Sequence, residues 1–185
     1  VPYATLSPRP MTAPPTPARP ATVTLRFLAE PTHVNFGGKV HGGSVMKWID
    51  QAGYTCAAGW TGSYCVTAYV GGIRFLQPIC VGELVEVRAQ IMRTGRTSLD
   101  IAVDIYASDP KSVTKRRACH CVMVFVAMGE DGTPAVVPKW TPTSPVEEML
   151  ETYAARLAEV RKSLDAEIEE RLRWLDQQRP AVADR

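Results

Sequence analysis

The sequence predicts an α+β fold, an antiparallel sheet curled around one long buried helix, with a second, amphipathic helix at its C-terminal end. Three observations carry this. Residues 44–58 form a helical stretch whose only charged or amide side chains are Lys47, Asp50 and Gln51, so the rest of the chain is expected to wrap it nearly all round. Downstream, apolar and polar residues alternate through 85–91 and again through 99–105, the period of strands with one wet face. At 185 residues there is room for one core and little more.

The elements follow in chain order. Residues 1–20 hold seven prolines among small polar residues, a composition that builds neither helix nor strand interiors, and read as a disordered arm. Residues 22–28 read as a short strand, and 31–43 as a loop rich in Pro, His, Asn and Gly. After the buried helix, 66–79 is β-rich, with Gly71 and Gly72 marking a bulge or a close approach to the backbone. The two alternating strands are joined by the tight Thr94-Gly95-Arg96 connection. Residues 118–127 are apolar on both faces apart from His120, as in a central strand, and the turn Gly129-Glu130-Asp131-Gly132 closes it. The expectation is one strand, the helix, then four strands in meander order. The domain spans 21–140, and 141–185 is a helical extension.

In that extension Leu150, Tyr153, Leu157, Val160, Leu164, Ile168, Leu172 and Leu175 recur every three or four residues between Glu, Arg and Lys. Such a stripe either pads the subunit's own sheet or binds another subunit. A lone curled sheet leaves an edge open, so a dimer joining two sheets edge to edge is its natural completion, with assembly into a trimer of dimers left open.

Composition excludes several classes. The net charge is +2, too small for a protein whose partner is a nucleic-acid backbone. No apolar run approaches the ~18 residues needed to cross a bilayer, and the first residues lack a basic start followed by an apolar stretch; both point to a cytoplasmic protein with no membrane partner. Five cysteines, Cys56, Cys65, Cys80, Cys119 and Cys121, lie within apolar segments and read as free thiols. In a strand Cys119 and Cys121 share one face while His120 points to the other, so the three cannot converge on a metal, and none is expected.

The densest chemical signal runs from Asn35 to Tyr54. Gly42 and Gly43 open the helix, where backbone N–H groups and the helix N-terminus can hold a developing oxyanion. Asp50 is a carboxylate in an apolar helix, and burying one calls for a reason. At ~1.5 Å per residue, Gly42 and Asp50 of one chain lie about 12 Å apart. They cannot serve one carbonyl, but two antiparallel helices in a dimer would set Gly42 of one against Asp50 of the other.

The stretch 31–139 resembles the hot-dog acyl-CoA thioesterases, and among them the cytosolic acyl-CoA hydrolases and bacterial YciA-like enzymes. The resemblance rests on Asn35, Val40-His41-Gly42-Gly43, Asp50 with Ala52-Gly53, Val66-Thr67 through Phe75-Leu76-Gln77-Pro78-Ile79, Val81-Gly82-Glu83, Gly95-Arg96-Thr97-Ser98 and Phe125-Val126-Ala127 with Asp131-Gly132, in the family's order and spacing. It implies the hot-dog fold and hydrolysis of acyl-CoA, with Asp50 as general base or nucleophile and Asn35 of the other subunit positioning water or thioester. The N–H of Gly42 or Gly43 would hold the oxyanion. It further implies that Gly95, Arg96, Thr97 and Ser98 take the nucleotide end of coenzyme A and that Phe75 and Pro78 also bind coenzyme A, with Arg93 a further candidate and Lys115, Arg116 and Arg117 more in keeping with solvated surface. Tyr54, one turn past Asp50, either orders water or packs. Coenzyme A is part of substrate and product, and no separate cofactor is implied. Gly71 stands where relatives are often acidic, and Arg74 and Gln77 are uncommon, departures that bear on acyl and CoA preference. Two other readings use the same fold: a hydratase or dehydratase, which needs a histidine base such as His41, and a non-catalytic acyl-CoA sensor.

Overall fold

The computed structural model describes residues 19–178. Strand β1 (Thr22–Leu28) leads through a short 3₁₀ turn (Pro31–His33) into helix α1 (Gly42–Thr61); strands β2 (Cys65–Phe75), β3 (Leu84–Thr94), β4 (Ser98–Ser108) and β5 (Arg116–Ala127) follow, then helix α2 (Pro145–Gln178). The expected proline-rich arm lies almost wholly outside the described residues.

All five strands form one antiparallel sheet in the order β1-β3-β4-β5-β2. Here the meander expectation is corrected. Strands β3, β4 and β5 are consecutive neighbours, but among the described strands β2 pairs only with β5 and occupies the far edge. The segment 76–83 carries the chain across: Val40 N–H bonds the Ile79 carbonyl beneath the start of α1, and Arg116 grips Glu83 and the Pro78 carbonyl. The glycine pair does mark an irregularity, since the β2–β5 register slips between Gly71 and Arg74 and Gly72 has φ 60°, which a residue with a Cβ rarely adopts.

Helix α1 starts behind a His41 cap and ends at Gly62, whose φ of 72° lies in the left-handed region. It buries Val45, Trp48, Ile49, Ala52, Gly53, Cys56 and Ala57 against the sheet. A Cβ on Gly53 would stand 2.8 Å from the Phe125 ring, so this glycine sets how closely helix and sheet approach. Ile49, Met123 and Phe125 are each 1% exposed, and burying such side chains stabilises by roughly 1.5–3 kcal/mol apiece.

The expectation that α1 is covered all round is not met by the described residues of one chain. Met46, Asp50 and Tyr54 are exposed on its far side, because the sheet curls over one face only. On the sheet's opposite face α2 packs Leu150, Ala154 and Leu157 on Met92, Ala102 and Val122, so its first turns do pad the chain's own sheet. Among the described residues no helix is long and apolar enough to cross a membrane.

Candidate active site

The start of α1 is built by two local devices. Asn35 Oδ1 accepts from the Gly37 and Lys39 N–H groups at 2.8 and 3.2 Å, closing the loop ahead of the helix. With that oxygen occupied, the Asn35 amide NH₂ is the part free to donate outward. His41 caps the helix, its Nδ1 accepting from Gly43 N–H at 2.8 Å. A Cβ on Gly43 would fall 2.9 Å from that nitrogen, so the cap needs glycine there. Gly43 therefore spends its N–H on the cap, whereas Gly42 N–H has no hydrogen-bond partner among the described residues. Of the two expected oxyanion donors, only Gly42 is available in this arrangement.

Gly42 opens onto an apolar groove of about 310 Å³ lined by Val40, Val45, Phe75, Pro78, Ile79 and Cys119, among others. Phe75 is 57% exposed and lies over Gly42, whose added Cβ would meet its ring at 3.7 Å. Burial pushes the Cys119 thiol at this groove up to about 11 and those of Cys56 and Cys121 up to about 12, which keeps them protonated and inert. The Arg116 guanidinium hydrogen-bonded to Glu83 holds that carboxyl below its usual range, keeping the pair ionic at neutral pH and bracing the segment that carries Pro78.

Asp50 lies two helical turns on, exposed. The expectation of a buried carboxylate is corrected: the side chain sits on the uncovered face of α1. Among the described residues its one hydrogen-bond partner is the Thr67 hydroxyl of β2, which donates to Oδ1 at 2.7 Å. Thr67 is the residue that sequence reasoning left unassigned; a threonine in a β-rich segment carries no local signal of what its hydroxyl meets. Tyr54 sits beside Tyr64, ring centroids 6.1 Å apart.

The turn Gly95, Arg96, Thr97 and Ser98 joins β3 to β4, closed by Gly95 N–H on the Ser98 carbonyl and braced by Val137 N–H on the Arg96 carbonyl. Arg96 is exposed. Arg93 is engaged elsewhere, paired with the buried Asp100 at 2.9 Å under α2.

Strand register sorts these residues into two groups. Phe75 pairs with Cys119 at one end of the sheet, while Ser98 pairs with Val126 at the other; seven residues of strand separate them, about 23 Å. Thr67 pairs with Phe125, itself opposite Leu99, so Asp50 and Thr67 belong to the Arg96 end. Asn35, Gly42, Phe75 and Pro78 form the other group. Among the described residues no cluster of three His, Cys, Asp or Glu could hold a metal ion.

Residues 37–114 match the family model of the thioesterase superfamily. The acyl-CoA thioester hydrolase YciA of Salmonella typhimurium is 32% identical over 120 residues, 63% of this chain and 90% of that protein. The acyl-CoA hydrolase of Staphylococcus aureus, solved with butyryl coenzyme A and coenzyme A, superposes with a TM-score of 0.79 at 26% identity, over 84% of this chain and 95% of that one. A hexameric thioesterase of Yersinia pestis gives 0.58 at 32% identity, over 62% and 93%. Solved variants of the staphylococcal enzyme replace an asparagine, an aspartate fifteen residues after it and a threonine seventeen after that; Asn35, Asp50 and Thr67 stand at the same spacing here. A sheet curled on one helix, together with this likeness across most of the folded body, places the chain in the thioesterase superfamily as a hot-dog acyl-CoA thioester hydrolase related to the YciA group.

Proposed function

We propose that this chain hydrolyses acyl-CoA at sites shared by two copies, each site combining the Asp50 group of one with the Gly42 group of the other. The observation that carries this reading is the division of the candidate residues between opposite ends of one sheet, with Asp50 and Gly42 about 12 Å apart along α1. Two α1 helices packed antiparallel through their uncovered faces bring the groups together twice. The face is suited to it: Met46 and Val70 are each 47% exposed and Tyr54 37%, and β2 is an edge strand whose outer side pairs with no other described strand. The Yersinia relative is a hexamer, which three such dimers would compose.

In the shared site the thioester carbonyl lies against Gly42 N–H at the positive end of α1. Asp50 Oδ1 is held by Thr67, which leaves Oδ2 to take a proton from water; the water oxygen bonds the carbonyl carbon, the C–S bond breaks, and the sulfur of coenzyme A leaves and is protonated. Direct attack by Oδ2 uses the same placement: the carboxylate oxygen bonds the carbonyl carbon, the C–S bond breaks to release the thiolate, and water then cleaves the resulting anhydride to free acid and regenerated Asp50. The Asn35 amide donates to water or thioester. The pantetheine arm runs along the Phe75 and Pro78 groove of one copy, and the nucleotide phosphates meet Arg96 and its turn on the other. His41 has one ring nitrogen committed to capping α1, which suits shaping the site better than the base of a hydratase. Release of free thiol from acyl-CoA, followed for the wild type and for folded Asp50→Asn, tests the reading. Near-complete loss in the variant is expected, and full turnover would overturn it.

A further inference from the structure

Helix α2 is much longer than the sheet it covers. Its packing face is built from Leu150, Ala154, Leu157 and Arg161, the last reaching Asp100 at 3.9 Å and lying 5.0 Å from the Tyr69 ring. These contacts run from β3 across β4 and β5 to β2, so the helix leaves the sheet over the β2 edge. Beyond Arg161 every described residue is exposed. The sequence does not turn polar there. Leu164, Ile168, Leu172 and Leu175 continue in the same stripe, within about 80° of arc of the packing face, and are 39–53% exposed. Leu164 still lines a small cavity with Tyr69 and Gly72 at the β2 edge; past it, fourteen residues of helix, about 21 Å, carry an apolar face with no other described element beneath it. An isolated helix of that length is marginal in water without a packed face.

We propose that this overhanging half of α2 docks on the outer sheet face of a second copy of the chain, clasping the two subunits across their β2 edges. Two observations choose that occupant. The overhang projects past the one sheet edge that borders the uncovered face of α1, into the space a second subunit takes in the shared-site reading, on which this proposal rests. Charge also fits. Residues 162–178 hold five acidic and three basic side chains. The outer sheet face away from α2 is the reverse, with Arg26, Arg88, Lys115 and Arg117 gathered around Glu86 and Asp104. That patch lies beyond the reach of its own α2, which departs in the other direction.

The test uses full-length protein. Sedimentation velocity over a dilution series gives the dissociation constant of self-association, and hydrogen exchange read by mass spectrometry gives the protection of 164–175. The variant Ile168→Glu/Leu172→Glu alters only exposed helix positions, and circular dichroism checks that the body stays folded. The expected result is slow exchange over 164–175 in the wild type, as slow as over 150–158. In the variant these amides should exchange within seconds and the dissociation constant should rise at least tenfold, while activity per remaining dimer is unchanged. Arg117→Glu on the receiving face should also weaken association. If the stripe variant weakens association and Arg117→Glu does not, the overhang packs on something other than the outer sheet face, and the proposal is overturned. Equal association of the stripe variant and the wild type, with fast exchange in both, also overturns it while leaving the shared site standing. A wild type that is monomeric and fully active overturns both.

Discussion

Thr67→Val separates a residue that works through Asp50 from one that merely neighbours it. The substitution keeps the shape of the side chain and removes the hydroxyl that donates to Asp50 Oδ1 at 2.7 Å. A hydrogen bond to a charged group contributes about 1.5–3 kcal/mol when enclosed. Asp50 and Thr67 are exposed in one chain and, in the proposed shared site, are enclosed only by the second copy, so the lower figure applies. At ~1.4 kcal/mol per decade, kcat for release of free thiol from acyl-CoA should fall about tenfold. Asp50→Asn removes the proton acceptor itself and should cost about 10³-fold or more. The informative measurement is the double variant. If Thr67 acts only by orienting Asp50, adding Thr67→Val to Asp50→Asn should change the residual rate less than about twofold. A full tenfold loss in both backgrounds would mean that Thr67 touches substrate or water independently, and no loss in either would remove it from the site.

The other expectations concern parts placed around this pair. Gly43→Ala should cost about 1 kcal/mol in urea unfolding by driving His41 off its cap, whereas Gly42→Ala, whose Cβ meets only the Phe75 ring at ordinary distance, should change stability by less than about 0.5 kcal/mol; the reverse order would contradict the capping geometry. Arg96→Ala should raise KM for acyl-CoA about tenfold with kcat spared, and should have little effect on a pantetheine thioester that lacks the nucleotide; equal losses on both substrates would make Arg96 structural. Burial would raise the Glu86 carboxyl, but hydrogen bonds from Lys115, Arg26 and Arg88 outweigh it and hold the group down at about 2, against an ordinary 4.5. Its stabilisation is therefore fully present above pH 4.5 and lost as pH falls through about 2. Glu86→Gln should accordingly cost about 2 kcal/mol in urea unfolding at pH 7 and progressively less as acid is added, and a cost independent of pH would refute the pairing.

The parts of the fold that were legible are those written in local pattern. Alternation marked β3 and β4, apolarity broken only at His120 marked β5, and the spacing of leucines marked α2. Placement of β2 was not legible, because the partner of a strand is decided by how 76–83 is tied down by Arg116 and by the carbonyl of Ile79, contacts distant in sequence. The exposure of Asp50 escaped for a related reason: an apolar helix is written the same way whether its own chain or a second copy covers it. At the site, Gly42 and Asp50 stood out because a glycine pair at a helix start and a lone carboxylate in an apolar helix are unusual in their settings, whereas Asn35, an amide in an Asn- and Gly-rich loop, was reached only through the family resemblance. That Gly43 is consumed by His41 depends on a ring rotamer, and that Thr67 meets Asp50 depends on the pairing of β2. Neither has a sequence signature.

Mixing two inactive variants tests the shared site most directly. Chains carrying Asn35→Ala and Gly42→Val are combined with Asp50→Asn chains under conditions that let subunits exchange, after circular dichroism has shown that each folds. A hybrid dimer then holds one wholly native site and one damaged in both halves. With random exchange half the dimers are hybrids, so free-thiol release should recover to about a quarter of the wild-type rate per chain. No recovery from dimers shown by differential labelling to be mixed would mean that Asn35, Gly42 and Asp50 serve one site within one chain, and the division of the site between subunits would be wrong.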